Sequence, residues 1–398
     1  MNKNVKRFIA LSLVLLLSMG TYFLGYNQGK DKFATKEVIE VANKIYKMKA
    51  NIDSEFLYDY DMEMMKDGIY KGYLAGLDDQ YSAYYNAEEF KALNEHTEGE
   101  FAGVGIEISG VKGNKIVVIS PIKGTPAEKA GIMAGDEIIA IDGKYYTNEE
   151  INDAVKVMRG KEGEKVTLTI GRQEKGEYVR RDIDIVREII DVQSVYSEMI
   201  EGDLGYIYIA SFQRHTADQF KENLKELKEQ GAKKIVLDLR NNPGGLLDVT
   251  IDLADYLISD GTIVSVKDAK DKTQEYKAGK GSENIEMVTL INKGSASASE
   301  ILSGALKENK RSVLVGETTF GKGVVQKIIE FRDEEPRTGM KLTIAEFFTP
   351  DGNKIQGVGV GPDKEVKLKE GVRLIGPENI KEDNQLQEAI KILKEKAS

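Results

Sequence analysis

EMVTLINKGSASASE, residues 286–300, opens as an apolar run, breaks at Asn292, Lys293 and Gly294, and then sets three serines on alternate positions ahead of Glu300. An apolar run entering a glycine turn and then a helix is the strand–loop–helix step of an α/β layer. The step recurs on both sides. LGYIYIASF (204–212) is a strand followed by an amphipathic helix over 216–230. KKIVLDLRNNPGG (233–245) is a strand and loop followed by a helix over 246–259, and SVLVGETTFGKGVVQ (312–326) is a strand and loop leading to further strands. Residues 187–378 are therefore expected to form an α/β core with a mixed or mostly parallel sheet. Ligand sites in such sheets gather at the carboxyl ends of strands, which brings together the loops beginning near 240, 293 and 316. The last segment, 379–398, carries a charged helix with Leu386, Ala389, Ile390 and Leu393 on one side, a stripe for the core or for a partner subunit.

Between 99 and 186 the texture changes to short strands with glycine turns. FAGVGIEISG (101–110) and KIVVIS (115–120) read as a strand pair, and TPAEKAGI (125–132) as a short helix with Pro126 in its first turn. DEIIAIDGK (136–144) and EKVTLTIGR (164–172) are strands; NEEINDAVKVMRG (148–160) is a helix with Ile151, Ala154, Val155 and Met158 on one face. In GVGI, Gly103 and Gly105 let the backbone curl so that successive N–H groups point at one place, a nest for an anion. A terminal carboxylate is the natural guest. GVGI and SPIKGTPAEKAGIMAGDEIIAIDG (120–143), in this order, resemble a PDZ domain in its permuted bacterial form. The resemblance implies that Gly103, Val104, Gly105 and Ile106 receive a C-terminal peptide as an added strand, with Ile151 and Val155 walling the groove.

Residues 35–95 read as helical, with Val38, Ile39, Val41, Ala42 and Ile45 near one face of KEVIEVANKIYKMKANI (36–52). Residues 1–30 stand apart. Lys3, Lys6 and Arg7 precede an apolar run from Phe8 to Leu24, the pattern of an export signal, and no convincing small-residue cleavage site follows. The expectation is a signal anchor with its positive end in the cytoplasm. Anchored to the cell membrane, or secreted after cleavage, the body of the chain is extracytoplasmic.

The 398 residues carry a net charge of −10, which argues against nucleic acid as a partner, since phosphate binding needs clustered Lys and Arg. There is no cysteine, which excludes disulfides, thiol nucleophiles and cysteine-ligated metals. His96 and His215 are far apart without metal-type spacing and are read as ordinary surface or core residues. An activated nucleophile in this chain has to rely on a base other than histidine.

The serines then admit two readings. Ser297 opens S-x-x-E with Glu300, a capping box; equally, any of Ser295, Ser297 and Ser299 is a nucleophile on spacing alone. GSASASE, GETTFGKGVVQ and DLRNNPGG, with FFTPDGNKIQGVGVGPD (347–363), resemble the carboxyl-terminal processing proteases, also called tail-specific serine proteases. The resemblance covers most of 35–365. It implies Ser297 as nucleophile, Lys322 as its base and Gln326 as the base's partner, acting on polypeptide C-termini without metal or nucleotide. It also implies a homodimer assembled through the helical ends.

Elementary chemistry agrees with that assignment. A lysine accepts a proton only when neutral, so its pKa has to fall from about 10.4 toward roughly 7–8, which desolvation achieves. Lys322 lies between Gly321 and Gly323 with no carboxylate beside it in sequence. Gln326 can orient the amine without adding charge. The Ala298 amide and Gly244, with Gly245 as the alternative, are candidate donors to an oxyanion. Asp238 and Arg240 are read as holding their loop. Arg159, at the end of the 148–158 helix, is a candidate reporter of peptide binding, a solvated helix end being the plain alternative.

The chain is thus expected to be a multidomain α/β (α+β) protein: a helical N-terminal region, a PDZ-like β-rich domain and an α/β protease core with a mixed sheet. The expected activity is that of an exported, PDZ-gated serine endopeptidase, the PDZ ligand being substrate or activating peptide. A membrane-anchored, non-catalytic PDZ scaffold is the rival, and it leaves GSASASE and GETTFGKGVVQ unexplained. Esterase or amidase action on a small molecule is a third reading, made weaker by the peptide-binding module.

Overall fold

The computed structural model describes residues 35–279, 283–332, 336–372 and 374–395. The apolar run 8–24 lies outside them, and no helix among the described residues is long and apolar enough to cross a membrane. The chain divides after Ile69 into two units. The first contains α1 (Lys36–Glu55), capped by the Thr35 hydroxyl, and most of α2 (Met62–Ala75). Neither helix buries a residue, and Val38, Ile39 and Val41 remain exposed along the face read from the sequence.

In the second unit the end of α2 is followed by β1 (Ala83–Tyr85), so the segment expected to be helical over 35–95 is interrupted by a strand. Three residues carry no periodicity; this strand exists because a later one pairs with it. α3 (Ala87–Glu98) follows, with a complete capping box between Asn86 and Glu89 and a stop at Gly99, φ 73°. β2 (Glu100–Gly103) then leads into the β-rich module. Its sheet comprises β3 (Ile106–Val111), β4 (Lys115–Pro121), β5 (Glu137–Ile141), β6 (Lys144–Tyr145), β7 (Lys165–Glu174) and β8 (Glu177–Val186). All pairs are antiparallel, in the order β3-β4-β5-β7-β8 with β6 on β5, which leaves β3 on an edge. α4 (Pro126–Lys129) and α5 (Ile151–Met158) close it, Ala154 and Met158 packing on Ile116, Leu168 and Ile170. The chain leaves through β9 (Glu188–Asp191), antiparallel to β2 with Glu100 opposite Asp191. Buried Arg187 donates to the carbonyls of Val157 and Met158 and so satisfies the end of α5.

The remaining elements form the α/β core. β10 (Val195–Glu201) runs antiparallel to β11 (Leu204–Ile209), and β12 (Lys234–Asp238), β15 (Glu286–Ile291), β16 (Val313–Gly316) and β19 (Lys364–Glu365) continue in parallel. Alternate residues point to opposite faces. On one face Ile207, Ile235, Leu237 and Met287 pack with α6 (Thr216–Glu229), α7 (Leu247–Leu257) and α8 (Ala298–Glu308). On the other, Tyr206, Val236, Val288 and Val315 meet α9 (Asn384–Glu395). The C-terminal stripe therefore serves the core: Leu386 and Leu393 are fully buried, worth about 1.5–3 kcal/mol each. A second sheet, antiparallel, orders β1, β18 (Thr338–Phe348), β13 (Gly261–Asp268) and β14 (Thr273–Ala278), with β17 (Val324–Phe331) also on β18.

Candidate active site

β12, β15 and β16 run parallel, so their loops leave from one end of the sheet, where cross-bonds join them. Asn241 N–H donates to Asn292 Oδ1 at 2.9 Å, Ala296 N–H to the Asn242 carbonyl at 3.0 Å, and Phe320 N–H to the Ser295 carbonyl at 2.9 Å. Here the three serines separate. Ser295 is fully buried and its hydroxyl donates to the Leu239 carbonyl at 2.8 Å; Ser299 is equally buried and donates to the Asn242 carbonyl at 3.0 Å. Both are spent on holding the 239–242 loop. Ser297 alone lines a cavity of about 300 Å³, together with Ala298, Gly244, Gly245, Lys322 and Gln326. Its φ of 53° and ψ of −111° are strained for a residue with a Cβ. It also heads α8, where the helix dipole favours developing negative charge.

Glu300 holds that strained geometry. Its side chain is fully buried and accepts from Ser297 N–H at 2.8 Å, Thr319 Oγ1 at 2.6 Å, Gly321 N–H at 2.7 Å and Lys322 N–H at 2.8 Å. One carboxyl group thus clamps the backbone of Ser297 to the backbone of Lys322. The sequence offered Glu300 as a cap. The cap is half of its role, because the loop that supplies the other donors is distant in sequence.

Lys322 is half-buried, and burial holds its ammonium below the usual lysine pKa; Lys341 pushes the same way, while Glu300 and Asp79 oppose. Its Nζ lies 5.0 Å from the centre of the Tyr81 ring. Gln326 sits at an irregularity in the β17–β18 register, a device that re-aims a side chain, and its amide donates to the Val324 carbonyl at 3.1 Å. Among the described residues, no hydrogen bond joins the side chains of Ser297, Lys322 and Gln326 to one another.

Gly244 has to be glycine: at φ 102°, a Cβ would stand 2.7 Å from the Ala296 carbonyl oxygen and 2.9 Å from Ser297 Cβ. Its N–H donates to Asn242 Oδ1 at 2.9 Å. The amides of Gly245 and Ala298 meet no acceptor among the described residues. Beneath the loop, fully buried Arg240 pairs with Asp238 and with Asp383 at 2.8 Å, and bonds Gln385 at 3.0 Å. Arg240 and Asp238 are thereby removed from the cavity and anchor the loop on the start of α9.

In the β-rich module, Gly105 has φ 81° and a Cβ there would overlap Thr125 at 2.3 Å. The carbonyls of Val104 and Gly105 accept from Ala127 and Ile122, which fixes the turn between Gly103 and Ile106. Ile106, Ile151 and Val155 are partly buried and pack against the module's core. Arg159 is not in the cavity. It pairs with Glu95 of α3 at 3.1 Å and lies 4.4 Å from the centre of the Phe101 ring. Lys156 of α5 reaches Glu88 of α3 at 2.7 Å. The cavity face of that same α3 presents Leu93, His96 and Thr97. His96 is exposed, as its reading as an ordinary surface residue expects, and stands at the cavity wall, a position no sequence pattern marked.

Residues 117–172 match the PDZ domain, and residues 203–366 match peptidase family S41. The carboxy-terminal processing protease CtpA of Bacillus subtilis (strain 168) is 36% identical over 371 residues, 92% of this chain and 76% of that one. This chain belongs to the carboxy-terminal processing proteases of family S41. A carboxy-terminal-processing protease of Bartonella bacilliformis is 41% identical over 310 residues, covering 76% of this chain and 69% of that one. A solved photosystem II D1 C-terminal processing protease aligns over 81% of this chain and 86% of its own, at 30% identity and a TM-score of 0.46. As an S41 peptidase the chain is a hydrolase, and the reading of it as a non-catalytic scaffold falls. The S41 protease has a PDZ domain suited to polypeptide substrates. What its sequence hid are the clamp role of Glu300, within GSASASE, and two residues outside the motifs, His96 at the cavity wall and Tyr81 against Lys322.

Proposed function

We propose that this S41 protease cleaves polypeptides through Ser297, with Lys322 as general base and Gln326 orienting the amine. The observation that carries the reading is the sorting of the serines: two are buried and bonded to the backbone, and the third enters the cavity that holds Lys322. Neutral Lys322 takes the proton as Ser297 Oγ attacks the scissile carbonyl. The Ala298 amide and an amide of the Gly244–Gly245 pair receive the oxyanion; a Gly244 donor would first leave Asn242 Oδ1. The lysine then returns the proton to the leaving amine, and a water, deprotonated in its turn, releases the acyl group.

The PDZ groove would take a C-terminus by strand addition on β3. Its helix α5 is staked to α3 by Arg159–Glu95 and Lys156–Glu88, and α3 walls the cavity. Peptide in the groove therefore has a route to the site, which supports gating with Arg159 acting through Glu95. Export by the 1–30 segment, with the body extracytoplasmic and membrane-anchored or released, belongs to the same proposal. So does a homodimer, supported by the exposed apolar residues of α1.

The test is cleavage of an unfolded protein with an apolar C-terminus by the 34–398 fragment. Ser297→Ala and Lys322→Ala should each abolish cleavage while circular dichroism stays native. Wild-type rates from either folded variant would refute the assignment. A peptide ending in an apolar residue should raise the rate on a separate substrate if the PDZ domain gates.

A further inference from the structure

Lys322 is pinned by its backbone and loose at its tip. Gly321, at φ 91°, is packed so that a Cβ would meet Val358 N at 3.1 Å, and a Cβ on Gly323 would meet Gln356 N at 2.3 Å. Gly323 N–H donates to Gln356 Oε1 at 2.8 Å, and Lys322 N–H to Glu300. The main chain cannot carry the amine anywhere; only the four-carbon stem can swing. Its tip rests against the Tyr81 ring and makes no hydrogen bond to Ser297 or Gln326 among the described residues.

Tyr81, by contrast, is held from several sides. It lies in the turn before β1, where its N–H donates to Asp79 Oδ1 at 3.1 Å. Ser82 next to it bonds Asp79 at 2.5 Å and accepts from Thr343 N–H at 3.0 Å, and β1 pairs with β18. The ring is carried on a short side chain from a turn held at Asp79, Ser82 and β18, and the ammonium on a four-carbon stem. An aromatic face attracts a cation through its quadrupole and has no such attraction for a neutral amine.

We infer that the Tyr81 ring is the resting seat of protonated Lys322, and that loss of the proton releases the amine toward Ser297. This rests on the reading of Lys322 as the base. Tyr81 is then a positioning residue: it keeps the ammonium away from the nucleophile until the group is competent to accept a proton. Other charged and titratable groups face Lys322 as well. Asp79 comes from the same turn, Glu300 from α8 and Lys341 from β18, with His96 of α3 in the same cavity. Replacing Tyr81 leaves all four in place, so the ring's share is separable.

The experiment measures kcat/KM of the 34–398 protein against pH for wild type, Tyr81→Leu, Tyr81→Phe, Ser297→Ala and Lys322→Ala. Without the ring the charged form loses its seat. The acid limb of Tyr81→Leu should move down by about 0.4–1.5 pH units, making it about 2–30-fold faster at low pH. Tyr81→Phe keeps the face and should track wild type. A Tyr81→Leu profile that overlays wild type, or activity lost at every pH, overturns the inference, provided the Ser297 and Lys322 variants are silent. Activity retained in Lys322→Ala instead sinks the underlying reading.

If Tyr81→Leu does not fold, the wild-type protein still answers. With ¹³Cε-lysine labelling and Lys322→Arg to assign the signal, the Lys322 ε resonance should be ring-current shifted below the kinetic limb and relax above it. A shift that is absent, or that does not change with pH, overturns the inference.

Discussion

Glu300→Gln is the substitution that best tests how the site is held. It keeps the shape of the side chain and removes one acceptor oxygen. The carboxylate offers about four acceptor positions, and four donors use them: the amides of Ser297, Gly321 and Lys322, and the Thr319 hydroxyl. A glutamine oxygen satisfies two of these, and its NH₂ would face the other two as donor against donor. Thr319 could rotate its hydroxyl; the backbone amides cannot. With the NH₂ turned toward Thr319 and Gly321 and the hydroxyl rotated to accept, one backbone donor is stranded with no exposure to water at this residue, at a cost of about 1–3 kcal/mol. At about 2–4 °C per kcal/mol for a core of this size, the melting transition should fall by at least about 2 °C. Activity should fall further than stability. The φ of 53° at Ser297 is a local strain, of order 1–3 kcal/mol, that persists only where its surroundings impose it. With the clamp weakened, Ser297 relaxes and the cavity loses its geometry. The assays are calorimetry and kcat/KM on an unfolded substrate, expected to drop by about 10²-fold or more. A variant melting within about 2 °C of wild type and cleaving at the wild-type rate would refute the clamp.

Ser295→Ala and Ser299→Ala should each lower stability by about 0.5–1.5 kcal/mol and remain measurably active, whereas Ser297→Ala should melt normally and be inactive; urea unfolding and turnover distinguish the patterns. Gly244→Ala should abolish cleavage, because its Cβ would collide with the Ala296 carbonyl and Ser297 at 2.7 and 2.9 Å; a folded, fully active variant would contradict the packing. Arg159→Ala and Glu95→Ala should each cost under about 1 kcal/mol of stability, being partly solvated, yet share one effect on peptide-stimulated activity, the double variant behaving as either single one. His215 is held above its ordinary pKa by the hydrogen bond to Glu100, with Asp191, Glu100 and Asp218 adding charge. A raised folded-state pKa means stability fully present below about pH 6.5 and lost as pH rises through the folded value. Melting of wild type and His215→Ala across that window should converge at high pH, and by a small amount, since the pair is largely solvated.

Periodicity and glycine punctuation are local properties, and what they encode was legible. The strand–loop–helix step at 286–308, the helix over 216–229 and the PDZ strands follow from apolar patterning and turn residues within a few positions of each other. The same holds for the motifs: GSASASE, GETTFGKGVVQ and DLRNNPGG mark one site because their loops each end a parallel strand. Strand β1 was missed because three residues acquire strand form only from β18, more than two hundred positions away. The stripe on α9 was visible, but whether it faced the core or another subunit depended on which sheet face remained uncovered.

By itself, then, the sequence determined most element types, the module order and the presence of serine, lysine and glutamine, without cysteine, in the motifs whose loops meet at the cavity. Spacing left the three serines equivalent and the motif resemblance implied Ser297; the physical difference among them lies in three dimensions. Ser295 and Ser299 find carbonyls of the 239–242 loop, and Ser297 does not. The clamp by Glu300, the seat on Tyr81 and the wall containing His96 are likewise tertiary. Each depends on groups far apart in the chain being brought within hydrogen-bond or van der Waals range, and no local pattern records that proximity.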